Sequence, residues 1–445
     1  MRICVRPKFP SDALGTKVLG SVVKISLNKI NLKISMQHIK KQDPAVYKAT
    51  LGEIRRQQEG MELIASENYV SQAVLEALGT AFTNKYSEGY PAKRYYGGQK
   101  YTDIIENIAR DRAKKLFGAE HVNVQPLSGA PANMIAYSAV LKPGDKVLGM
   151  DLSHGGHLTH GHPITLSAKV YNFIRYKTDK SGKINYRELE KMAKKENPRL
   201  ILAGFSAYTR QLDYKKFSQI AKKVGAISMI DVAHIAGLIA GRAISSPVPY
   251  FDIITTTTHK TLRGPRGGMI MCKKEFAEAI DKACFPGFQG GPHMHQIAAL
   301  AVCLGEALKP SFKKYARQII KNAKTLEKEL KKRGFKLMFG GTDNHMVLVD
   351  VYGSKGLTGK EAEKVLDKVG ITLNKNVIPD DPRSPMDPSG IRIGVPAVTT
   401  RGMREKEIKM IAKWIDEAIK NHKNNKTLKR IHKEVKALCK KFPIY

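Results

Sequence analysis

The stretch of the chain that best indicates its fold and chemistry is FDIITTTTHKTLRGPRGG, which runs from Phe251 to Gly268. An apolar run passes into four threonines, then into the pair His259-Lys260, and then into a turn rich in glycine and proline. A lysine at the end of a buried strand can bind an aldehyde covalently, because desolvation and neighbouring cations lower the pKa of its amine. An isolated lysine in such a turn is more commonly an exposed loop residue, so Lys260 needs a partner elsewhere in the chain.

A second stretch, SMIDVAH from Ser228 to His234, places an aspartate at the end of another apolar run. Taken alone, Asp231 is better explained as a cap or turn residue. A carboxylate beside a pyridinium nitrogen keeps that nitrogen protonated, which makes pyridoxal phosphate an electron sink. An aspartate at one strand end and Lys260 at a neighbouring strand end, some thirty residues later, form the arrangement that this cofactor requires.

Short apolar runs and amphipathic segments alternate on the N-terminal side of Lys260. The predicted strands are Val122–Val124, Lys146–Met150, Val170–Tyr176, Leu200–Gly204, Ile227–Ile230 and Phe251–Thr256. The predicted helices cover residues 102–117, 131–141, 186–196 and 214–224. This alternation predicts an α/β fold with a mostly parallel sheet sandwiched by helices. Ligands of such sheets bind outside the carboxyl ends of the strands, where Asp231 and Lys260 are expected.

A second region follows a long helix that starts near Met294. A strand at Val347–Val351, a helix at 358–369, a strand at 371–374 and a closing helix at 404–420 predict a small C-terminal α+β domain. The domain organisation expected from these patterns is a basic N-terminal extension (1–35), an N-terminal arm (36–75), a large domain (76–310), a small domain (311–420) and a basic tail (421–445).

Two further motifs precede Asp231. Ser128-Gly129 opens a predicted helix, whose free N–H groups suit a phosphate, although a Ser-Gly turn is often only a helix cap. The stretch LSHGGHLTHGH, from Leu152 to His162, contains four histidines. Zinc is the alternative there, but no suitably spaced cysteine or carboxylate accompanies the histidines. An imidazole stacked on an aromatic cofactor fits better, and no metal is expected.

Composition excludes several classes of protein. The 445 residues are 42% hydrophobic and 26% charged, which is an ordinary globular composition, and no uncharged apolar run reaches the length of a membrane span. Five scattered cysteines indicate free thiols in a reducing cytoplasm and exclude a disulfide scaffold. The net charge of +36 favours a lysine-rich solvated surface with nonspecific affinity for polyanions, and no dedicated nucleic-acid partner is expected.

Residues 1–35 alternate apolar and basic residues. They are explained either as an organelle transit peptide or as sequence upstream of a true start at Met36, and the second explanation is favoured.

Together the motifs resemble serine hydroxymethyltransferase, a fold-type I pyridoxal-phosphate enzyme, from about residue 45 to 420. The blocks that carry the resemblance are Glu62–Asn68, Asn84–Pro91, Arg94–Gly98, Leu152–His162, Thr255–Gly268 and Gly341–His345. The family converts serine and tetrahydrofolate reversibly into glycine and 5,10-methylenetetrahydrofolate.

The resemblance implies a role for each matching residue. Lys260 carries pyridoxal phosphate covalently, His259 influences reaction specificity, and Glu88 acts as acid and base near the serine hydroxyl. The cofactor is held by Ser128, Gly129, Ala130, His157, Ser206, Asp231, His234 and Gly291. The amino-acid substrate is bound by Ser66 and Arg392, with Tyr86 and Tyr96 lining the pocket. Tetrahydrofolate lies along Leu152, Gly156, His157, Leu158, Asn376, Ser384, Pro385 and Met386.

The resemblance further implies a homodimer, or a tetramer, in which the partner subunit supplies Gly291, Tyr86 and Tyr96. Ala130 departs from the serine of many members, which predicts weaker retention of the cofactor, and Phe288 occupies a variable position. Two rivals stay open at this point. One is a folate-independent aldolase of β-hydroxy amino acids on the same fold, and the other is a basic RNA-associated protein with a vestigial enzyme fold.

Overall fold

A computed structural model describes residues 36–444 of the protein. The prediction for residues 1–35 lies outside the described residues. The strands of the described chain are β1 Met61–Glu62, β2 Gly89–Tyr90, β3 Lys93–Arg94, β4 His121–Asn123, β5 Lys146–Met150, β6 Asn172–Tyr176, β7 Leu200–Gly204, β8 Ile227–Asp231, β9 Ile253–Thr257, β10 Gly268–Cys272, β11 Lys336–Leu337, β12 Met346–Asp350, β13 Ile371–Thr372, β14 Asn374–Asn376 and β15 Gly390–Gly394. The helices are α1 Gln37–Gln42, α2 Pro44–Glu59, α3 Gln72–Leu78, α4 Lys100–Phe117, α5 Gly129–Val140, α6 Leu166–Val170, α7 Tyr186–Glu196, α8 Tyr214–Lys223, α9 Ala236–Ala240, α10 Ala277–Lys282, α11 Met294–Ala307, α12 Pro310–Lys332, α13 Val351–Lys355, α14 Gly359–Lys368, α15 Pro396–Thr400, α16 Glu405–Lys420 and α17 Asn425–Lys441.

A seven-stranded sheet in the order β4-β10-β9-β8-β7-β5-β6 forms the centre of the molecule. The five strands from β9 to β6 run parallel, whereas β10 is antiparallel to both of its neighbours. The prediction of a mostly parallel sheet is therefore confirmed. Strands β7, β9 and β10 are buried along their whole length, as expected for strands covered on both faces by helices.

Local sequence sets the ends of the helices around this sheet. Helix α7 begins after Asn185, whose side chain accepts hydrogen bonds from two backbone N–H groups, and it ends at Asn197 in the left-handed conformation. Helix α8 begins after Asp213, whose side chain accepts a hydrogen bond from the Lys216 backbone N–H. The predicted strand from Val170 is shorter than expected, because residues up to Val170 form the short helix α6.

A four-stranded antiparallel sheet, in the order β11-β12-β15-β14, forms the second layer of strands. The N-terminal arm joins this region through β1, which pairs in parallel with β13, and through a hydrogen bond from the Gly394 backbone N–H to the Leu63 oxygen at 2.7 Å. The strand predicted at 371–374 is therefore two short strands with different partners.

The basic C-terminal segment contains the 17-residue helix α17, which packs on α2 of the arm. Its buried side chains are Leu428, Ile431, Val435, Leu438 and Cys439. The side chain of Arg401 ties the two helices together, because it donates hydrogen bonds to backbone oxygens near the ends of both. Carbonyl groups at helix C-termini lack partners within the helix, so an arginine is a suitable donor there.

Within residues 36–444, no helix combines the length and the apolar composition that a membrane span requires.

Candidate active site

The structure brings Asp231 and Lys260 to the same edge of the central sheet. Asp231 is the last residue of β8 and pairs with Thr255 of the parallel strand β9. Lys260 follows the end of β9 by three residues. Parallel neighbours end at the same edge of a sheet, so both side chains lie in the crevice where α/β proteins bind ligands.

Asp231 is held in place by three hydrogen bonds. Its Oδ2 atom accepts from Asn133 Nδ2 at 2.9 Å and from His160 Nε2 at 3.3 Å, and its Oδ1 atom accepts from the Ala233 backbone N–H at 2.9 Å. Burial by itself would raise the pKa of this carboxyl group. The hydrogen bond from His160 and nearby positive charge outweigh burial and hold the pKa well below its usual range. Asp231 is therefore a fixed, buried negative charge.

His157 lies beside His160, with ring centroids 5.6 Å apart. Its Nδ1 atom accepts a hydrogen bond from the Thr159 backbone N–H at 3.1 Å and is 2.7 Å from the Thr159 hydroxyl. Burial, together with the charges of His160, lowers its pKa to about 4, although Asp231 acts in the opposite direction. The ring is therefore neutral and locked in one orientation, as a stacking partner for a planar cofactor requires.

Lys260 is a buried amine, with 9% of the residue exposed. Burial lowers the pKa of Lys260 from 10.5 to about 8; Asp231 opposes this change, and Arg392 and Arg266 add to it. The neighbouring His259 is also affected, since burial and the charge of Arg266 lower its pKa to about 3. A lysine with a pKa near neutrality has a large neutral fraction and is a competent nucleophile.

Arg392 lies on β15 and brings a second buried cation to the same crevice. Its Nη1 atom donates to the Ser206 backbone oxygen at 2.6 Å, and its Nε atom donates to Asn374 Oδ1 at 3.1 Å. Only 9% of the residue is exposed, and burial lowers its pKa to about 10. Within residues 36–444, Arg392 forms no ion pair with a carboxylate, so its charge is left for an anionic ligand.

Two predicted ring contacts, Ser206 and His234, lie around this centre. The Ser206 hydroxyl donates to the Gly156 oxygen at 2.5 Å, which joins the β7 edge to the histidine-rich loop. His234 stacks on His345 with an interplanar angle of 26°, and their facing nitrogens are 3.2 Å apart. Burial holds the pKa of His234 well below its usual value and lowers that of His345 to about 3.

The N-terminus of α5 is shaped as an anion cradle. Ser128 precedes the helix, and its side chain caps no backbone N–H group. Gly129 must lack a side chain, because a Cβ atom there would lie 2.6 Å from the Thr257 methyl group. Ala130 follows as the second residue of this 12-residue helix. The open N–H groups, with the buried Asp231 and Lys260 nearby, suit a cofactor that carries a phosphate, a ring nitrogen and an aldehyde.

The predicted residues Tyr86, Tyr96, Glu88 and Gly291 form a separate group. The Tyr86 hydroxyl donates to Glu88 Oε1 at 3.2 Å, and the Tyr86 and Tyr96 rings meet edge to face at 5.1 Å. Tyr86 also lies against Gly291. Tyr86 and Tyr96 are 54% and 50% exposed. Among the hydrogen bonds and ion pairs of residues 36–444, none joins this group to Lys260, Asp231 or Arg392.

The residues predicted to bind the cosubstrate lie on two loops. Leu152, Gly156 and Leu158 belong to the histidine-rich loop, and Ser384, Pro385 and Met386 belong to the loop between β14 and β15, which begins after Asn376. Asp380 connects the loops, because its Oδ1 atom lies 3.3 Å from both His154 Nε2 and Lys177 Nζ. Leu158 and Met386 expose apolar side chains. Ser66 follows Ala65, which packs on Gly394, the last residue of the strand that carries Arg392.

Sequence reasoning missed the residues that hold these side chains. Asn133 and His160 fix Asp231, His345 stacks on His234, and Asn374 orients Arg392. Three of them had a weak indication in the sequence, since Asn133 lies one turn after Ser128-Gly129 and the two histidines lie in blocks already singled out. Their partners are far away in the chain, so only the fold could assign their contacts. In the part of the chain described, no group of three or more His, Cys, Asp and Glu side chains is placed to hold a metal ion.

A mostly parallel sheet with a buried lysine and an ionised aspartate at neighbouring strand ends is the arrangement of a fold-type I pyridoxal-phosphate enzyme. Residues 39–415 match the family model described as Serine hydroxymethyltransferase. A serine hydroxymethyltransferase of Koribacter versatilis (strain Ellin345) is 56% identical over 410 residues, which cover 92% of this chain and 96% of that protein. The chain therefore belongs to the serine hydroxymethyltransferase family.

Membership of this family confirms the predicted fold class, reaction and cofactor. The chain is a pyridoxal-phosphate-dependent transferase that interconverts serine plus tetrahydrofolate with glycine plus 5,10-methylenetetrahydrofolate. Serine, glycine and tetrahydrofolate are its small-molecule partners, and its reaction belongs to one-carbon metabolism.

Proposed function

We propose that the crevice around Lys260, Asp231, His157 and Arg392 is the site of this reaction and that Lys260 carries the cofactor covalently. The observation that supports this proposal most strongly is the burial of two cations, Lys260 and Arg392, without a carboxylate ion pair for either among the described residues. Burying an unpaired charge is costly, so such groups are retained where they serve a ligand.

The cofactor side of the site is built around Asp231 and His157. Pyridoxal phosphate, when bound, supplies an electron sink for the bond that breaks at the substrate α-carbon. Asp231 keeps the ring nitrogen protonated, because its own pKa is low and its carboxylate is fixed by Asn133 and His160. His157 stacks on the ring, and the ring substituents are contacted by Ser206 and His234. The phosphate is held by Ser128, Gly129 and Ala130 at the N-terminus of α5.

The substrate side is assigned to Arg392 and Ser66. The two hydrogen bonds that orient Arg392 use its Nε and Nη1 atoms. The Nη2 atom takes part in neither, so the guanidinium group can clamp a carboxylate. A planar guanidinium binds a carboxylate with two parallel hydrogen bonds, which fixes the α-carbon relative to Lys260. His259 is placed beside Lys260, where a neutral imidazole influences which reaction follows.

We further propose that the site is completed across a homodimer interface. Glu88, as acid and base at the serine hydroxyl, and Tyr86 and Tyr96, as pocket walls, belong to a surface that carries several exposed apolar side chains. These exposed side chains are Tyr95, Tyr101, Ile104, Leu127 and Phe288. An exposed apolar patch of this kind marks a protein interface, and a twofold dimer would bring this surface, with Gly291, against the partner's crevice. A tetramer built from such dimers is the alternative assembly.

For tetrahydrofolate, we propose a site between the two loops joined by Asp380. Leu152, Gly156, His157 and Leu158 form one wall, and Asn376, Ser384, Pro385 and Met386 form the other. The exposed apolar side chains of Leu158 and Met386 support this placement, since a pterin needs flat apolar contacts. We also propose that the protein is located in the cytoplasm. This location agrees with its buried free thiols, which are those of Cys272, Cys284, Cys303 and Cys439.

Serine cleavage measured with and without tetrahydrofolate tests the proposal. The purified full chain, reconstituted with pyridoxal phosphate, is expected to develop a cofactor absorbance band and to cleave serine faster when tetrahydrofolate is added. A folate-independent aldolase would show the band but no response to folate. Absence of the band after reconstitution would contradict the cofactor site itself.

Binding of a polyanion is a separate measurement on the same preparation. If affinity for RNA falls steeply with salt, the net charge of +36 explains it. Affinity that survives high salt would favour a dedicated RNA site, contrary to our proposal.

A further inference from the structure

The side chain of Asn68 uses its full hydrogen-bonding capacity. Its Nδ2 atom donates to the Lys260 backbone oxygen at 2.9 Å and to the Tyr315 hydroxyl at 2.7 Å. Its Oδ1 atom accepts from the Tyr69 backbone N–H at 2.9 Å and from the Thr400 hydroxyl at 2.7 Å. An asparagine amide offers two donor hydrogens and two acceptor lone pairs, so none is left over.

The turn that follows Lys260 is held by the same cluster. The Tyr315 hydroxyl donates to the Thr261 oxygen at 3.3 Å, next to the carbonyl group that Asn68 binds. The Arg263 guanidinium lies 4.9 Å from the centre of the Tyr315 ring. Arg263 has a φ of 64°, a left-handed conformation that residues with a side chain rarely adopt. External contacts are therefore needed to keep this turn, and with it Lys260, in one place.

Asn68 also contacts the short helix that follows the strand carrying Arg392. Thr400, whose hydroxyl donates to Asn68 Oδ1, is the last residue of helix α15. This helix begins two residues after Gly394, where β15 ends. Asn68 itself lies two residues after Ser66 in the chain. One half-buried side-chain amide thus joins the segments of Lys260 and Ser66 to the helix that follows the Arg392 strand.

We propose that Asn68 is a positioning residue that fixes the backbone of Lys260 relative to Arg392. The proposal rests on the roles proposed for Lys260 and Arg392. A displacement of about 1 Å between reacting groups can lower a rate by about 100-fold, so a side chain that sets this spacing affects the reaction without touching substrate. Tyr315 and Thr400 act through Asn68, the first on the lysine side and the second on the arginine side.

Two substitutions, each of which removes one hydroxyl group, separate the effects on the lysine side from those on the arginine side. Tyr315→Phe removes the hydroxyl that binds Asn68 and the Thr261 oxygen, and Thr400→Val removes the donor to Asn68 Oδ1. Matched controls are Tyr186→Phe, which loses a 2.7 Å hydrogen bond from the Asp213 backbone, and Thr325→Val, which loses a hydroxyl bound only within α12. Asn68→Ala combines both effects in one variant.

Two readouts are needed. Steady-state kinetics of the cofactor-loaded chain give kcat and the KM for serine. Reductive methylation of the cofactor-free chain, followed by mass spectrometry over a pH series, gives the pH midpoint at which the Lys260 amine becomes reactive. The second readout is independent of catalysis and reports the surroundings of the lysine directly.

Tyr315→Phe is expected to lower kcat about 10-fold with little change in KM, since the lysine shifts relative to the substrate. It should also raise the methylation midpoint by about half a pH unit, because a looser turn admits water to the amine. Thr400→Val is expected to raise the KM for serine about 5-fold with kcat and midpoint unchanged, in line with the loss of one hydrogen bond on the arginine side. Asn68→Ala should show both defects.

The controls should lower the melting temperature without moving any of these values. If Tyr315→Phe, Thr400→Val and Asn68→Ala also change only the melting temperature, the cluster is structural and the proposal is wrong. Failure of the proposed roles would look different, because a Lys260→Ala chain would then keep the cofactor band and an Arg392 variant would keep its KM.

Discussion

The crevice around Lys260 and the surface around Tyr86 both contain predicted site residues, but the two groups differ in burial and in hydrogen bonding. In the crevice, Asp231 and Arg392 are buried and each is oriented by at least two hydrogen bonds from the same chain. On the surface, Tyr86 is half exposed, and its hydroxyl donates to Glu88. Burial changes pKa values and prepares chemistry within one chain, whereas we propose that a partner subunit covers the exposed group.

The largest expected effect comes from removing the amine of the crevice. Lys260→Ala should abolish the cofactor absorbance band and lower serine cleavage by more than about 1000-fold, because no other amine replaces the nucleophile. Absorbance spectra of reconstituted protein and a folate-coupled assay measure the two effects. Lys273→Ala is the control, since Lys273 is ion-paired with Asp252 elsewhere on the sheet and should keep both.

Changing the second cation should weaken substrate binding. Arg392→Lys keeps the charge but loses the planar fork, so the KM for serine should rise about 10- to 100-fold, as expected for the loss of charge-assisted hydrogen bonds. The KM for tetrahydrofolate should stay nearly constant. Equal increases in both constants would place Arg392 outside the carboxylate clamp.

Burial of Lys260 should be visible in the pH dependence of stability. Its pKa is about 8 in the folded chain and 10.5 when unfolded, so the unfolded chain binds more protons between these values and stability rises with pH there. Compared with Lys260→Met, whose side chain does not titrate, the cofactor-free parent should gain up to about 3 kcal/mol between pH 8 and 10.5. Denaturant unfolding at several pH values measures this difference. A difference that stays constant with pH would show that the amine is solvated.

The smallest effect is expected at the rim of the crevice. Ala130→Ser places a hydroxyl in the first turn of α5, where it can donate one more hydrogen bond to a phosphate. Retention of pyridoxal phosphate should improve about 2- to 10-fold, which corresponds to one ordinary hydrogen bond. Equilibrium dialysis of the cofactor measures this change, and unaltered affinity would count against the idea.

Much of the fold around the crevice could be predicted from the sequence, because the central strands follow local patterns. Strands β5 and β7 and helix α7 have the predicted ends, since apolar runs of five residues and an amphipathic segment with a cap at each end are local features. Strand β10 was not predicted. Its run from Gly268 to Cys272 is equally short and apolar, but it follows a Gly/Pro turn, and its antiparallel pairing depends on β4 and β9.

The candidate site likewise contains residues that could be predicted from the sequence and residues that could not. Lys260 and Asp231 could be predicted, because their chemistry is carried by residue type and by position at a strand end. Asn133 could not, since its contact with Asp231 joins positions 98 residues apart. Asn68 could not for the same reason, as its contact with Lys260 spans 192 residues. Hydrogen bonds between distant segments exist only once the sheet and the arm have been assembled.

Subunit complementation tests most directly whether the crevice and the exposed surface form one site. Lys260→Ala leaves the exposed group intact and Glu88→Gln leaves the crevice intact, and each homodimer should be inactive. When equal amounts of the two variants are unfolded and refolded together, about half of the dimers should be mixed and each should contain one complete site of two, so the mixture should recover roughly a quarter of the parent activity. Mixed dimers that form, as shown by differently tagged chains, but stay inactive would contradict a site shared between two copies of this chain.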